Sequence, residues 1–178
     1  MYTTVQVSHS ELYFPPPGIV IRAGVIPYTI TLEQRYYLLG LFPDKIYTDM
    51  GGGCKTSRHE RPIDCLVREI EEETDPETAK VVITTLTHQL SQIEVWRQTG
   101  DNFKDLGYPF SQRCPGPIHR YYVFLEIYDP MLHLGGPTLK KEVNCYQWIS
   151  EKDLQQITPL KVSSSCRDFL LDRKLITT

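Results

Sequence analysis

Branched and aromatic residues gather into runs at Ile19 to Thr31, Arg35 to Phe42 and Ile46 to Met50, divided by short polar or proline-containing breaks. Such runs predict three β-strands. Ahead of them, Pro15-Pro16-Pro17-Gly18 can continue neither a helix nor a central strand. Residues 1–17 therefore read as an N-terminal arm or edge strand, leading into a single domain over residues 18–178. Gly51-Gly52-Gly53 interrupts the strand pattern. From Pro62 to Thr74 the period lengthens, and Ile63, Leu66, Val67 and Ile70 fall on one side of an amphipathic helix. After Asp75-Pro76, strand-like composition returns at Lys80 to Leu90 and Gln92 to Gln98. The Gly- and Pro-punctuated stretch Thr99 to Pro117 predicts a long loop, Ile118 to Tyr128 the strongest strand, Asp129 to Lys141 a second loop and Val143 to Ile149 a last strand. Ser150-x-x-Asp153 has the form of a helix-opening cap, and Ser163 to Ser165 can cap a closing helix that bears Phe169, Leu170 and Leu175. Strands and helices neither segregate nor alternate strictly. The fold class expected is α/β (α+β), a sandwich built on a mixed β-sheet.

Composition narrows the function classes. A chain of 178 residues fits one domain, and 40% apolar with 23% charged residues excludes disordered, collagen-like and coiled-coil proteins. The formal net charge of −3 gives no global attraction to a phosphate polymer or an anionic membrane, so RNA as a partner has no support from charge. Cys54, Cys65, Cys114, Cys145 and Cys166 form no Cys-x-x-Cys pair and no zinc-ligand spacing, and reduced thiols are expected. Met1 to Glu11 holds neither a basic cluster nor an apolar core, and no apolar stretch approaches a membrane span. These features read as an intracellular, cytoplasmic protein with no membrane partner.

The helix predicted at Pro62 to Thr74 carries the chemistry. Glu69, Glu72 and Glu73 stand at i, i+3 and i+4, so their carboxylates converge on one patch, and no Lys or Arg stands four residues after any of them. Crowded hard oxygen ligands are what Mg²⁺ or Mn²⁺ takes, with waters and substrate phosphate oxygens filling the remaining positions. Gly51 to Gly53, without side chains, can bring backbone close to the same patch. A Glu-rich helix is ordinarily a solvated face. Here that reading must also account for Glu60-x7-Arg68-Glu69-Ile70-x-Glu72-Glu73, a combination that average residue frequencies make rare.

In that pattern the sequence resembles the Nudix hydrolase superfamily, whose box reads Gly-x5-Glu-x7-Arg-Glu-U-x-Glu-Glu-x-Gly-U with U apolar. The resemblance implies an α/β/α sandwich and cleavage of a diphosphate linkage by water. It places Mg²⁺ or Mn²⁺ on Glu69, Glu72 and Glu73 with a backbone carbonyl of Gly52 or Gly53, and pairs Arg68 with a box glutamate. It makes Glu60 a supporting residue or occasional ligand. Two positions depart from the box. Six residues separate Gly53 from Glu60, which puts Cys54 where the glycine would stand, and Asp75 followed by Pro76 replaces the final glycine. Neither change removes a carboxylate.

Glu142, six residues before Trp148, matches the downstream glutamate that many members use as general base or extra ligand; a solvated loop residue beside Lys140 and Lys141 is the alternative. Arg22, Lys55 and Arg58 are candidates for substrate phosphates, with His59 and Arg61 beside them, against the default of exposed loop charges. Around Leu90 to Ile93 neither the proline expected of ADP-ribose hydrolases nor the tyrosine expected of dinucleoside polyphosphate hydrolases occurs, and Pro109-Phe110-Ser111-Gln112 is only an echo of the NADH-type signature. Trp96, Tyr108, Phe110, Tyr121 and Tyr122 are candidates for stacking on a base, although aromatics in strands more often fill the core. The implied function is hydrolysis of a nucleoside diphosphate derivative, a small-molecule nucleotide. An mRNA cap, RNA 5′-end or diphosphoinositol phosphate hydrolase, and a non-catalytic nucleotide-binding module, are the alternatives. A homodimer is the assembly the resemblance suggests.

Overall fold

In β7 (Ile118–Glu126), alternate residues serve two different cores: Tyr121, Val123 and Leu125 face one side, Tyr122 and Phe124 the other, and all are buried. A strand apolar on both faces belongs in the middle of a sheet covered on both sides. The computed structural model describes residues 1–89, 93–108, 116–128 and 145–178. In it β7 lies parallel to the long β2 (Ile19–Thr31), in register from Ile19 with Ile118 to Tyr28 with Glu126. The other strands are β1 (Tyr2–Val7), β3 (Gln34–Leu41), β4 (Tyr47–Thr48), β5 (Met50–Gly53), β6 (Ile93–Gly100) and β8 (Cys145–Ser150). The order is β1-β6-β7-β2-β3-β4, with β5 pairing β2 and β8 pairing β3, and every pair but β2–β7 is antiparallel. The mixed sheet expected from sequence is present.

Helices cover both faces. α1 (Pro62–Glu73) and α2 (Pro76–His88) pack Ile63, Leu66, Ile70, Val82 and Leu86 against Val25, Leu38 and Val123. On the opposite face α4 (Ser164–Asp172) packs Phe169 and Leu170 against Ile26, Leu39 and Tyr122, with the Tyr122 and Phe169 rings stacked at 4.1 Å. The short α3 (Glu151–Leu154) begins as the sequence suggests: Ser150 Oγ accepts from the Asp153 N–H at 3.1 Å. Among the described residues no helix is long and apolar enough to cross a membrane.

Two expectations are corrected. The strand expected at Lys80 to Leu90 is replaced by helix over Lys80 to His88, since Pro76–His88 is helical. Asp75 caps that helix by accepting from the Thr78 N–H at 3.1 Å, Pro76 occupies the first turn, and Thr78, Ala79, Val82, Thr85 and Leu86 make one buried face. The β-branched residues misdirect a propensity reading because packing overrides propensity. The triple glycine is not a break but most of β5, paired with Arg22–Val25 of β2. For residues 1–17, expected as an arm or an edge strand, the edge strand is the form present. β1 is the edge strand beside β6, and Leu12 is fully buried. Glu11 holds Arg97 at 2.6 and 2.7 Å and accepts from the Tyr121 hydroxyl at 3.0 Å.

The sheet is forked on one side of β2. Its N-terminal half pairs β5 through Arg22–Val25, and its C-terminal half pairs β3 through Tyr28–Thr31. The fork, roofed by α1, holds the candidate site.

Candidate active site

α1 crosses β5 at close range because Gly52 has no side chain. A Cβ there would stand 2.5 Å from the carboxyl carbon of Glu69. Glu69, Glu72 and Glu73 bring carboxylate oxygens within 4.8 Å of one another. They border a cavity of about 280 Å³ with Gly51, Gly52 and Gly53 on its floor and Asp49 and Tyr146 also in its wall.

Arg68 ties this patch together. Its Nε and Nη2 donate to the two oxygens of Glu60 at 2.8 and 2.9 Å, and its Nη2 also donates to the Gly53 carbonyl at 2.8 Å. Its Nη1 donates to Glu69 Oε1 at 2.9 Å and to Glu72 Oε2 at 3.2 Å. One guanidinium therefore restrains carboxylates from both the loop and the helix, as a planar fork can and an ammonium cannot. Arg68 stands four residues before Glu72, so it relieves part of the like-charge repulsion.

The electrostatics divide the carboxylates into two kinds. Arg68's hydrogen bonds, helped by the Lys55 N–H at 2.9 Å, pull the Glu60 carboxyl down to about 2. Burial pushes Glu69 above the usual carboxylate range, and Glu72 adds to that push while Arg68 opposes it. With Glu73 alongside, negative charge outweighs the single cation. A buried anion in such a setting is stabilised by a further cation. Hard oxygen donors at this spacing suit Mg²⁺ or Mn²⁺ rather than a soft metal.

Cys54, in the position where the Nudix box has glycine, brings its Sγ within 4.8 Å of Cys65 Sγ and a Glu60 oxygen. The Cys65 thiol donates to the Gly52 carbonyl at 3.8 Å. Cys54, Cys65, Cys145 and Cys166 are free thiols.

Other sequence candidates lie elsewhere. Arg22 is buried in β2, and its guanidinium makes a bidentate ion pair with the equally buried Asp49, Nη1 to Oδ2 at 2.8 Å and Nη2 to Oδ1. Gly24 leaves room for that carboxylate. Arg22 is thus committed inside the protein instead of facing a substrate phosphate. Lys55 and Arg58 are exposed on the turn between β5 and α1 and do not line the cavity. Arg61 pairs with Asp64 at 2.7 Å. Tyr121 and Tyr122 are core residues, Trp96 lies beneath Arg173, and Tyr108 packs edge-on against Phe103. Glu142, Phe110 with the Pro109 to Gln112 segment, Leu90 to Gln92 and Cys114 fall outside the described residues.

Sequence reasoning missed Asp49 and Tyr146. A faint signal existed for Asp49, an acid enclosed by the buried Thr48 and Met50 in a strand-like run. Nothing local marked Tyr146, which looks like any strand aromatic.

No family model matches the chain, and no curated protein matches it. Among solved structures it is similar to the NUDIX domain of Shewanella oneidensis NrtR complexed with ADP ribose, at 13% identity and a TM-score of 0.49, over 90% of this chain and 88% of that one. It is also similar to C. elegans Ap4A hydrolase, at 17% identity and a TM-score of 0.45 over 89% and 96% of the two chains. A binary complex of a C. elegans Ap4A hydrolase aligns at 16% identity and a TM-score of 0.42, over 78% and 85%. All three TM-scores lie under 0.5, and the chemistry rests on the site itself.

Proposed function

We propose that this chain is a Nudix-type pyrophosphohydrolase, which uses a divalent metal to cleave a diphosphate linkage in a nucleoside diphosphate derivative. The observation that carries the reading is the convergence of Glu69, Glu72 and Glu73 within 4.8 Å, beside a glycine floor and with Arg68 shared by Glu69 and Glu72. A solvated helix face does not bury one of its glutamates against a glycine or spend an arginine on holding the others in place.

In the reaction, the oxygen of water bonds to one phosphorus and the bridging oxygen leaves with the other phosphate. Glu69, Glu72 and Glu73 would hold Mg²⁺ or Mn²⁺, with the Gly53 carbonyl beside them. The bound ion supplies Lewis acidity toward phosphate oxygens and acidifies water. Arg68 keeps the carboxylates from separating, so their geometry is set before substrate arrives. Glu142 is proposed as the base that takes the proton from water. Lys55 and Arg58 are proposed to meet phosphates that extend beyond the cleft. The nucleotide class of substrate follows from the resemblance to Nudix hydrolases, and the acidic net charge favours a small molecule over RNA.

The test is hydrolysis of a panel of nucleoside triphosphates, nucleotide sugars, ADP-ribose, dinucleoside polyphosphates, NADH and capped RNA with Mg²⁺ or Mn²⁺. Wild type is compared with Glu72→Gln. A substrate cleaved by the first and not by the second supports the reading. Equal turnover by both, with unchanged metal dependence, removes it.

A further inference from the structure

Two buried tyrosines of the central strand hold partners for their hydroxyls, and a third buried tyrosine has none among the described residues. Tyr121 donates to Glu11 at 3.0 Å and Tyr122 donates to the Ser165 carbonyl. Tyr146, 4% exposed, has a buried hydroxyl with no hydrogen-bond partner among the described residues. It pairs with Gly40 at the start of β8, packs its ring into the core beneath α1, and borders the cavity that Glu69, Glu72 and Glu73 line. An unsatisfied buried hydroxyl costs about 1–3 kcal/mol, and native structures rarely keep one without a use.

The surroundings define what it can do. A tyrosine hydroxyl is protonated at neutral pH and can donate, and burial of Tyr146 acts in the same direction. The other described polar groups at the cleft are mostly acceptors, or donors already engaged: Thr48 Oγ1 reaches Asp49 at 3.4 Å, and Arg68 is spread over Glu60, Gly53, Glu69 and Glu72. A ligand entering an acidic cleft with its cation in place brings acceptors of its own. Phosphate oxygens are the acceptors that the proposed reaction requires.

We propose that Tyr146 is a substrate-binding residue whose hydroxyl donates a hydrogen bond to a non-bridging phosphate oxygen of the diphosphate. The assignment rests on the pyrophosphohydrolase reading of the cleft. The neutral donor fixes the rotation of one phosphate without adding charge next to the carboxylates, and no described residue competes for it.

Calorimetric titration of the full chain with imidodiphosphate in the presence of Mn²⁺, beside thermal unfolding without ligand, tests this for wild type, Tyr146→Phe and Glu72→Gln. A hydrogen bond to a charged group is worth enough for Tyr146→Phe to weaken binding roughly tenfold or more. Its unfolding temperature stays equal to or above that of wild type, because an orphan hydroxyl contributes nothing to the free protein. Affinity within twofold of wild type overturns the assignment. So does a lowered unfolding temperature with unchanged affinity, which would give the hydroxyl a structural partner. Failure of the underlying reading shows separately, as Mn²⁺-dependent binding that survives intact in Glu72→Gln.

Discussion

Two arginine–carboxylate assemblies flank the fork in the sheet, Arg22–Asp49 next to Tyr122 and Cys166 of the α4-side core and Arg68 on α1, and they are built to opposite ends. Arg22 and Asp49 are both buried and answer each other atom for atom, a closed neutral pair. Arg68, partly open to solvent, is shared among Glu60, Glu69, Glu72 and the Gly53 carbonyl, and the carboxylates still outnumber it. The first assembly is neutral in itself, is joined by a neutral donor, Thr48 Oγ1 at 3.4 Å, and serves the fold. The second holds anions together while leaving them under-neutralised, which is the condition for recruiting a metal. An arginine beside a carboxylate is therefore not informative by itself; the balance of charge around it is.

The contrast can be broken from either side. Glu72→Gln should lower turnover by about 10³-fold, corresponding to several kcal/mol of lost charge stabilisation, and leave the circular dichroism spectrum unchanged, because it relieves repulsion in the free protein. Arg22→Met should cost about 3–5 kcal/mol in urea unfolding by stranding Asp49, while Arg22→Met with Asp49→Leu recovers most of that loss. A single substitution costing under 1 kcal/mol would mean that the closed pair is not what secures β5 to β2. Gly52→Ala should weaken metal affinity about tenfold by displacing the Glu69 carboxylate, with stability little changed, since the group that must move is the end of a flexible side chain. A Mn²⁺ titration of that variant measures it.

The smallest effect concerns pH. Glu60 is held at about 2 against an ordinary value of about 4.5, so the unfolded chain binds its proton first as pH falls. Its contribution to stability is whole above pH 4.5 and disappears as pH drops toward 2. Urea unfolding between pH 5 and pH 3 should give a shallower slope for Glu60→Gln than for wild type; identical slopes would show that Arg68 does not favour Glu60 in its charged form.

The same contrast explains what was legible in the sequence. Glu69, Glu72, Glu73 and Arg68 come from one helix, so their meeting follows from 3.6 residues per turn and needs no knowledge of the fold. Asp49 and Tyr146 reach the cleft through sheet pairing between segments far apart in the chain, and no local period encodes that register. In sequence Arg22 looks like a candidate for substrate phosphates for the same reason: its partner lies 27 residues away. α2 was hidden by β-branched residues at helical positions, although Asp75-Pro76, taken as the end of α1, was also the start of α2. β1 gave the edge strand that was one of the two expectations for residues 1–17.

The fork in the sheet has a further consequence. β5 is four residues long and, among the described strands, hydrogen-bonds to β2 alone. The ceiling of the cleft is a helix anchored in the core, while its floor is a short strand. Segments with so few backbone bonds open far more often than a central strand does. Deuterium uptake at the amides of Gly51 to Gly53 should accordingly run well ahead of uptake in β7 and slow when the cleft is filled, so that the floor of the site records occupancy in its own backbone.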